Sequence, residues 1–318
     1  MARRSKRTDA KVAVIGAGEI GCVYAAQLFE SGVDVTLVTR TANAFPDGIR
    51  LDSHVKHFGK QHVHVPTATL TELPPIDVAI LALQAHHLEP VLDALDTLEC
   101  RIIVPLMHLG DQLDELTKRL GNDRVVLAFP GIGGRRNNDG SITWMPVPQQ
   151  GTLVDATATH ADEVYELFAA TGLAVKREPY MIDWLNTHAI IASVLRVMVL
   201  KPIGGVREAA QDIELLTAAS ISMRSGLRGY RAQGGRIRPP ALDFLTRRMP
   251  PIVAVRYWQT QLSSELGLIT IEPNAKTSAN TELPALIRHA LRLVGDDATE
   301  FREWVTPTLN ATENEPTN

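Results

Sequence analysis

Cysteine is nearly absent from this chain: Cys22 and Cys100 are the two present among 318 residues. Two thiols so far apart support neither a disulfide framework nor a cysteine-rich zinc site, and a reducing, cytoplasmic setting is expected. No sign of charge dominates, since 32 Lys and Arg stand against 36 Asp and Glu for a formal net charge of −4. Nothing global therefore draws the chain to nucleic acid or to an anionic membrane surface. Long apolar runs are lacking too. A membrane span needs about 20 apolar residues, and the best stretch, Ala189 to Leu200, is interrupted by Arg196. A secretory leader needs roughly 7–15 apolar residues behind its basic start. Here the basic segment Met1–Arg7 is followed only by the short run Val12 to Ile15, so it reads as a tail and not an address. His62 and His64 alternate along one segment, but no third ligand has a metal-site spacing, so no metal is expected.

What is present is an ordinary core-forming mixture, 45% hydrophobic and 21% charged, enough for two domains. The first half alternates β-branched runs with helical segments, the pattern of a parallel sheet covered on both faces. Strands are expected at Lys11–Ile15, Val33–Val38, His62–Val65, Val78–Leu83, Arg101–Pro105 and Arg124–Phe129. The intervening helices are Ile20–Ser31, His87–Leu95 and Asp111–Leu120. Thr143–Val147 and Gly151–Val154 suggest a hairpin, Ala161–Ala170 a helix, and Leu173–Lys176 a last strand. Beyond about residue 180 long helices take over, at Ile182–Leu200, Arg207–Gln233, Ala241–Leu266 and Leu283–Leu293, with a frayed polar tail from Thr306. The expected fold is α/β: a Rossmann-type parallel-sheet domain over 1–178, then a mostly α-helical domain over 179–318.

The strongest chemical signal is Val12-Ala13-Val14-Ile15-Gly16-Ala17-Gly18-Glu19-Ile20-Gly21. A G-x-G-x-x-G motif is weak alone, but this one follows an apolar strand, opens a helix and leads to a second strand. Gly16 permits the tight turn, Gly18 lets backbone approach a pyrophosphate, and Gly21 lets helix pack on sheet. The helix start, at Glu19 and Ile20, offers unpaired N–H groups to phosphate. The second strand ends in Thr39-Arg40, where an NAD site would carry an acidic side chain for the ribose 2′-hydroxyl. Arg40 instead suits a 2′-phosphate, so NADP(H) is the expected cofactor. Arg50 is a further cation that could assist.

At this point the chain resembles the ketopantoate reductase (2-dehydropantoate 2-reductase) family. The resemblance rests on the glycine loop followed by Arg40, on Asp77-Val78-Ala79-Ile80-Leu81-Ala82-Leu83-Gln84-Ala85, on Leu106-Met107-His108-Leu109-Gly110, and on Trp184-Leu185-Asn186-Thr187-His188-Ala189. It implies NADPH-dependent reduction of a 2-keto acid in a cleft between the domains. It also implies a carbonyl-polarising Lys on the first long helix, an Asn from the first domain, and a Ser and a Glu from the second. The chain departs at these positions. Asn186 stands for the Lys, Leu109 for the Asn, Gln84 for a cofactor-contacting Lys, and Pro250 or Pro251 for the Glu. Asn186 has no titratable proton, so it can orient a carbonyl but not protonate it.

Other residues offer chemistry of their own. His188 sits near the start of the long helix and could act as general acid or base. His108 follows a strand at its C-terminal end, where open α/β sheets bind ligands. His86-His87 is a loop pair near the adenine side. Ser278 and Asn280 suggest caps, and Arg224, Arg228 and Arg231 share a helix face that could be cationic. The expected site is thus Gly16, Gly18, Glu19, Ile20, Gly21, Arg40, Gln84 and His108 for cofactor, with Asn186 and His188 for catalysis on a small carbonyl or hydroxy-acid substrate. A non-catalytic NADP-binding sensor, and a hydroxyacid dehydrogenase with His188 as base, remain alternatives. The apolar helical faces allow a homodimer.

Overall fold

Burial follows the sequence pattern closely at the start of the chain. The apolar run of β1 (Lys11–Ile15) is buried from Val12 onward, and α1 (Glu19–Glu30) is buried along its whole middle, Gly21 to Leu28. The computed structural model describes residues 10–41, 43–148, 150–201, 205–248 and 250–314; the basic segment Met1–Arg7 lies outside them. Two units are present, the first ending at Met181 and the second beginning at Ile182.

The first unit is built on a parallel sheet. Its strands are β1, β2 (Asp34–Val38), β5 (Thr67–Ala68), β6 (Ile76–Leu81) and β7 (Cys100–Pro105), in the order β5-β2-β1-β6-β7. Ile15 is in register with Val38 on one side and Leu81 on the other, so the three strands end together. Between β6 and β7 runs α2 (Leu88–Leu95); α3 (Gln112–Leu120) follows β7. A second sheet, in the order β4-β3-β10-β9, combines β3 (Ile49–Ser53), β4 (Lys60–Val63), β9 (Ile132–Arg136) and β10 (Ile142–Pro146). A third, in the order β12-β11-β8, holds β8 (Ala128–Phe129), β11 (Thr152–Asp155) and β12 (Val175–Glu178), with α4 (Ala161–Ala169) against β11 and β12. Helix α1 packs on β1 and β2 and also on β3, β9 and β10, which is why it is apolar nearly all round. The buried Tyr24 hydroxyl accepts from the Gly131 N–H at 3.0 Å and bonds Thr152 Oγ1 at 2.6 Å, tying this helix to both later sheets' strands.

Three expectations for this unit are corrected. The segment His62–Val65 does not join the parallel sheet: β4 runs antiparallel to β3, with Val63 opposite Ile49. Its exposed His62 and His64 alternate with buried Val63 and Val65, which suits a strand covered on one face only. The expected Thr143–Val147/Gly151–Val154 hairpin is not formed. Strand β10 pairs with β9 and β3, while β11, buried at Thr152, Leu153 and Val154, takes the central place between β8 and β12. Within Arg124–Phe129 only β8 (Ala128–Phe129) is a strand, and Val125 and Ala128 form isolated parallel bridges to Ile103 and Leu106.

The second unit is helical: α5 (Met181–Leu200), α6 (Val206–Ala209), α7 (Ile213–Ala232), α8 (Pro240–Arg248), α9 (Pro251–Ser263), α10 (Glu272–Ser278), α11 (Leu283–Val294) and α12 (Thr299–Asn314). A π-helical turn, Gly267–Ile271, precedes α10. Helix α5 has the length and composition of a membrane span, but 67% of its apolar window is buried within the protein. The expected helix over Arg207–Gln233 is broken where Asp212 caps α7, its carboxylate accepting from the Leu215 N–H at 2.9 Å. The helix expected over Ala241–Leu266 is likewise divided before Pro251, because proline lacks the N–H a helix interior needs but suits its first turn. The tail expected to fray is helical to Asn314. Phe301, Val305 and Leu309 recur at i, i+4 and i+8 and are buried, which outweighs the polar composition and Pro307.

Ser278 is no cap, since Glu282 occupies the N-cap position of α11. Ser278 is buried instead, accepting from Arg196 at 3.3 Å, and Arg196 pairs with Glu282 at 2.7 Å. Both members of this pair are 8% exposed. Ions so desolvated are costly to orphan. Glu282→Gln is expected to lower unfolding free energy by about 3–5 kcal/mol in urea denaturation, and Arg196→Met with Glu282→Leu to recover most of that loss.

Candidate functional site

The ends of β1, β2 and β6 converge on the glycine loop. The Gly16 N–H donates to the Val38 carbonyl at 3.2 Å, and the Ala82 N–H donates to the Ile15 carbonyl at 2.9 Å. Gly16 adopts φ +114°, and a Cβ there would lie 2.2 Å from the Ala82 oxygen. A Cβ on Gly21 would lie 1.9 Å from the Gly16 oxygen. Those two glycines are thus required by the protein's own packing. Gly18 is different: it has φ −71°, and a Cβ there would meet nothing within 4 Å. The protein does not need a glycine at Gly18, which leaves a backbone surface open to a bound group, as a pyrophosphate requires. No side chain caps α1, so the N–H groups of Glu19 and Ile20 stay available at its positive end. These residues fit a dinucleotide.

Around this loop the structure places the other expected contacts. Arg40 lies two residues beyond β2, is exposed and makes no ion pair among the described residues. Gln84 and the 3₁₀ turn Ala85–His87 follow β6, with the His86 and His87 rings 3.9 Å apart. Burial holds His87 below the ordinary imidazole range, assisted by the charges of His86 and Arg40, so the pair and Arg40 share one electrostatic neighbourhood. His108 lies beyond β7, its ring edge-on to Phe129 at 5.1 Å, beside buried Leu109. Arg50 does not take part. It stands on β3 and pairs with Asp139 at 3.5 Å, because the strand that carries it belongs to the second sheet. The His62 and His64 rings lie 4.9 Å apart, tilted by 38°, and the described residues contain no group of three or more His, Cys, Asp or Glu able to hold a metal.

Sequence reasoning missed Arg136. At the end of β9, it donates to the Ala17 carbonyl at 2.9 Å and sets a cation beside the glycine loop. Its charge also opposes the burial that pushes the Cys22 thiol up to about 11, which leaves Cys22 without nucleophilic character near neutral pH. The available signal was the run Gly133-Gly134-Arg135-Arg136: a Cβ on Gly134 would lie 3.5 Å from that of Glu19, so this strand crosses close to the start of α1.

In the second unit Asn186 belongs to a polar cluster drawn from three helices. Its Nδ2 donates to the Tyr230 hydroxyl at 3.1 Å, and its Oδ1 lies 3.1 Å from His289 Nε2. Tyr230 donates to Asp183 Oδ1 at 2.7 Å, and the Arg236 N–H donates to the same oxygen at 2.9 Å. Burial first, and Asp183 with it, pushes the Tyr230 hydroxyl well above the usual phenol range; burial holds His289 below the usual imidazole range. Tyr230 and His289 were not found from sequence, because they lie 44 and 103 positions from Asn186 on other helices and show no common spacing with it; Asp183, three residues before Asn186 on α5, carried an i, i+3 signal that was overlooked. His188 takes another direction: its ring stacks on Trp184 at 5.0 Å with planes 19° apart. The Arg224, Arg228 and Arg231 face is partly neutralised, Arg228 by Glu300 at 3.8 Å and Arg231 by Asp243.

Comparison with known proteins agrees with this geometry. The family model for ketopantoate reductase PanE/ApbA matches residues 12–155. The fold resembles 2-dehydropantoate 2-reductase from Geobacter metallireducens GS-15, with a TM-score of 0.73 at 16% identity over 95% of this chain and 99% of that one. A D-mandelate dehydrogenase solved with NADH and anilino(oxo)acetate gives 0.71 at 13% identity over 95% and 99% of the two chains. A dimeric ketopantoate reductase from Staphylococcus aureus gives 0.67 at 16% identity over 95% and 99%. Residues 12–155 therefore match the ketopantoate reductase PanE/ApbA model, and over nearly its whole length the chain has the fold seen in the 2-dehydropantoate 2-reductases.

Proposed function

We propose that this chain is an oxidoreductase that uses NADP(H) to reduce the carbonyl of a 2-keto acid to the 2-hydroxy acid. The observation that carries this reading is the loop itself: Gly16 and Gly21 are demanded by packing, whereas Gly18, at the start of α1, has no protein atom near its missing side chain and leaves its backbone open to a pyrophosphate. Solved structures of similar fold include 2-dehydropantoate 2-reductases and a D-mandelate dehydrogenase with bound NADH, which supports a nicotinamide dinucleotide and a 2-keto or 2-hydroxy acid. The choice of NADP(H) over NAD(H) rests on Arg40, an exposed guanidinium two residues beyond β2 that makes no ion pair among the described residues, suited to a 2′-phosphate.

In this proposal the N–H groups of Glu19 and Ile20 and the backbone at Gly18 hold the pyrophosphate. Arg136 adds a fixed positive charge, and Gln84 and His108 supply polar contacts at the ends of β6 and β7. When bound, the dihydronicotinamide supplies hydride to the carbonyl carbon. The oxygen left with the carbonyl π pair would then take its proton from solvent water. Asn186 donates a hydrogen bond to that oxygen and orients it, without giving up a proton. His188 is not assigned the proton-transfer role, because its imidazole lies flat on Trp184 whereas His289 is in contact with Asn186. A homodimer, as described for the S. aureus enzyme, is part of the proposal.

Titration with NADPH and NADH, followed by a screen of 2-keto acids for loss of NADPH absorbance, tests the reading. NADPH is expected to bind more tightly, and Arg40→Ala to weaken NADPH by roughly 10- to 100-fold while leaving NADH unchanged, the effect of losing a charge-assisted hydrogen bond of about 1.5–3 kcal/mol. Tight NADPH binding with no turnover on any keto acid would assign the chain to a non-catalytic, cofactor-sensing role instead. The glycines make a separate prediction. Gly21→Ala should destabilise the first unit by about 1–3 kcal/mol or more in thermal unfolding, since helix and loop must separate. Gly18→Ala should leave the melting temperature unchanged and weaken only dinucleotide binding.

A further inference from the structure

The cluster around Asn186 specifies more than a set of contacts, because its members are not interchangeable as donors and acceptors. Asp183 as a carboxylate can only accept, and it accepts from both the Tyr230 hydroxyl and the Arg236 N–H. Tyr230 has one proton, which is committed to Asp183. Its oxygen must therefore accept the bond of 3.1 Å from Asn186, so the amide nitrogen and not the amide oxygen faces Tyr230. That sets the other end. Asn186 Oδ1 faces His289, and a bond of 3.1 Å there requires His289 to carry its hydrogen on Nε2. Turning the amide over would set its oxygen against a hydroxyl oxygen whose proton is already used, so Tyr230 selects the orientation and the His289 tautomer follows from it. One chain of polarity thus runs from the carboxylate to the imidazole.

We infer that Tyr230 and His289 are positioning residues that lock the Asn186 amide so that its second N–H is presented as a donor to the substrate's carbonyl oxygen. This rests on the role proposed for Asn186. An amide has two chemically different ends and rotates about its last bond, so alone it offers a carbonyl oxygen a donor only part of the time. With one Nδ2 hydrogen held by Tyr230 and Oδ1 held by His289, one N–H remains, with its direction set by helices α5, α7 and α11. Asn186 is half-buried, so the remaining hydrogen stays within reach of a small ligand. Burial keeps Tyr230 protonated and favours neutral His289, so the arrangement holds at neutral pH. The ligand class that suits the remaining donor is an oxygen acceptor: a ketone carbonyl, or the oxyanion that forms from it.

The tautomer of His289, read from the nitrogen shifts of its imidazole in the full chain, tests the lock without turnover. The Nε2–H form is expected, and an Nδ1–H form overturns the inference. Kinetics on a reducible 2-keto acid test its use. Tyr230→Phe and His289→Leu are each expected to lower kcat roughly tenfold while the KM for NADPH stays unchanged. His289→Gln, whose side-chain N–H can still donate to Asn186, should restore most of the lost kcat. Wild-type kcat in Tyr230→Phe and His289→Leu, or a Gln variant no better than the Leu variant, overturns the inference. Asn186→Ala separates the two levels. If it keeps full kcat, the proposed role of Asn186 fails; if it is inactive while Tyr230→Phe and His289→Leu are unaffected, only the positioning inference fails.

Discussion

How closely α1 can approach the end of β1 is the constraint on which the first unit depends. The helix meets two sheets, so it is apolar on nearly every face, and its start must fit beneath the carbonyl of Gly16 and beside Ala82. Any side chain at Gly16 or Gly21 would occupy space already taken by backbone. The same closeness aims the first-turn N–H groups at the sheet edge where β1, β2 and β6 end in register. Packing and the open, positive helix start therefore have one cause. The tight turn that lets the core close also leaves a helix end uncapped and facing outward, and Arg136 on a strand of the second sheet reaches the loop only because that sheet lies against α1.

The second unit answers to a different constraint, the cost of burying polar groups in a helical core. It handles two such groups in different ways. Arg196 and Glu282 pair directly, and Ser278 takes a further hydrogen from Arg196, so neither ion is left alone. Around Asn186 the polar groups form an ordered series in which each donor has one acceptor: Arg236 and Tyr230 to Asp183, Asn186 to Tyr230, His289 to Asn186. The first arrangement sets each ion against an opposite charge inside the core. The second ends in an unused amide hydrogen on a half-buried residue. Polar groups that serve only the fold have no reason to keep such an opening, so the difference separates a structural pair from a cluster suited to a ligand.

Much of the first unit was legible because its signals are local. The run from Val12 to Ile15, the three glycines and Arg40 lie within about one βαβ unit, where strand, turn and helix each leave their own mark. Legibility failed where partners come from far along the chain. Strands β10 and β11 are neighbours in sequence and look like a hairpin, yet each has partners elsewhere, and only the pairing of Ile142 with Leu51 and of Leu153 with Lys176 shows this. The helix breaks were written in Asp212 and Pro251, both local caps, but a long apolar periodicity on either side hid them. Helix α12 was obscured by Pro307 and by a polar composition that conceals the buried set Phe301, Val305 and Leu309. In the candidate site, Asn186 was found by its place in a family-like motif. Tyr230 and His289 could not be, since their relation to it exists only once α7 and α11 pack on α5.

The resemblance to the ketopantoate reductases implies a Lys where this chain has Asn186, and the physical difference between the two side chains explains the neighbours that Asn186 has. A Lys ammonium carries three equivalent donors on a freely turning end, so it needs no partner to choose which face it shows a carbonyl. An amide presents a donor at one end and an acceptor at the other, and the wrong end toward a developing oxyanion is repulsive. The exchange therefore removes a charge and a proton and adds a problem of orientation. Asp183 fixes Tyr230, Tyr230 takes one hydrogen of the amide, and His289 takes its oxygen, so the amide has one orientation in which every bond is satisfied. In such a site the loss of the cation weakens the pull on the carbonyl, and a donor already aligned before substrate arrives recovers part of that loss, because no reorganisation is needed as charge builds on the oxygen. Under the role proposed for Asn186, the chemistry depends on geometry held by three helices more than on the acidity of any single side chain.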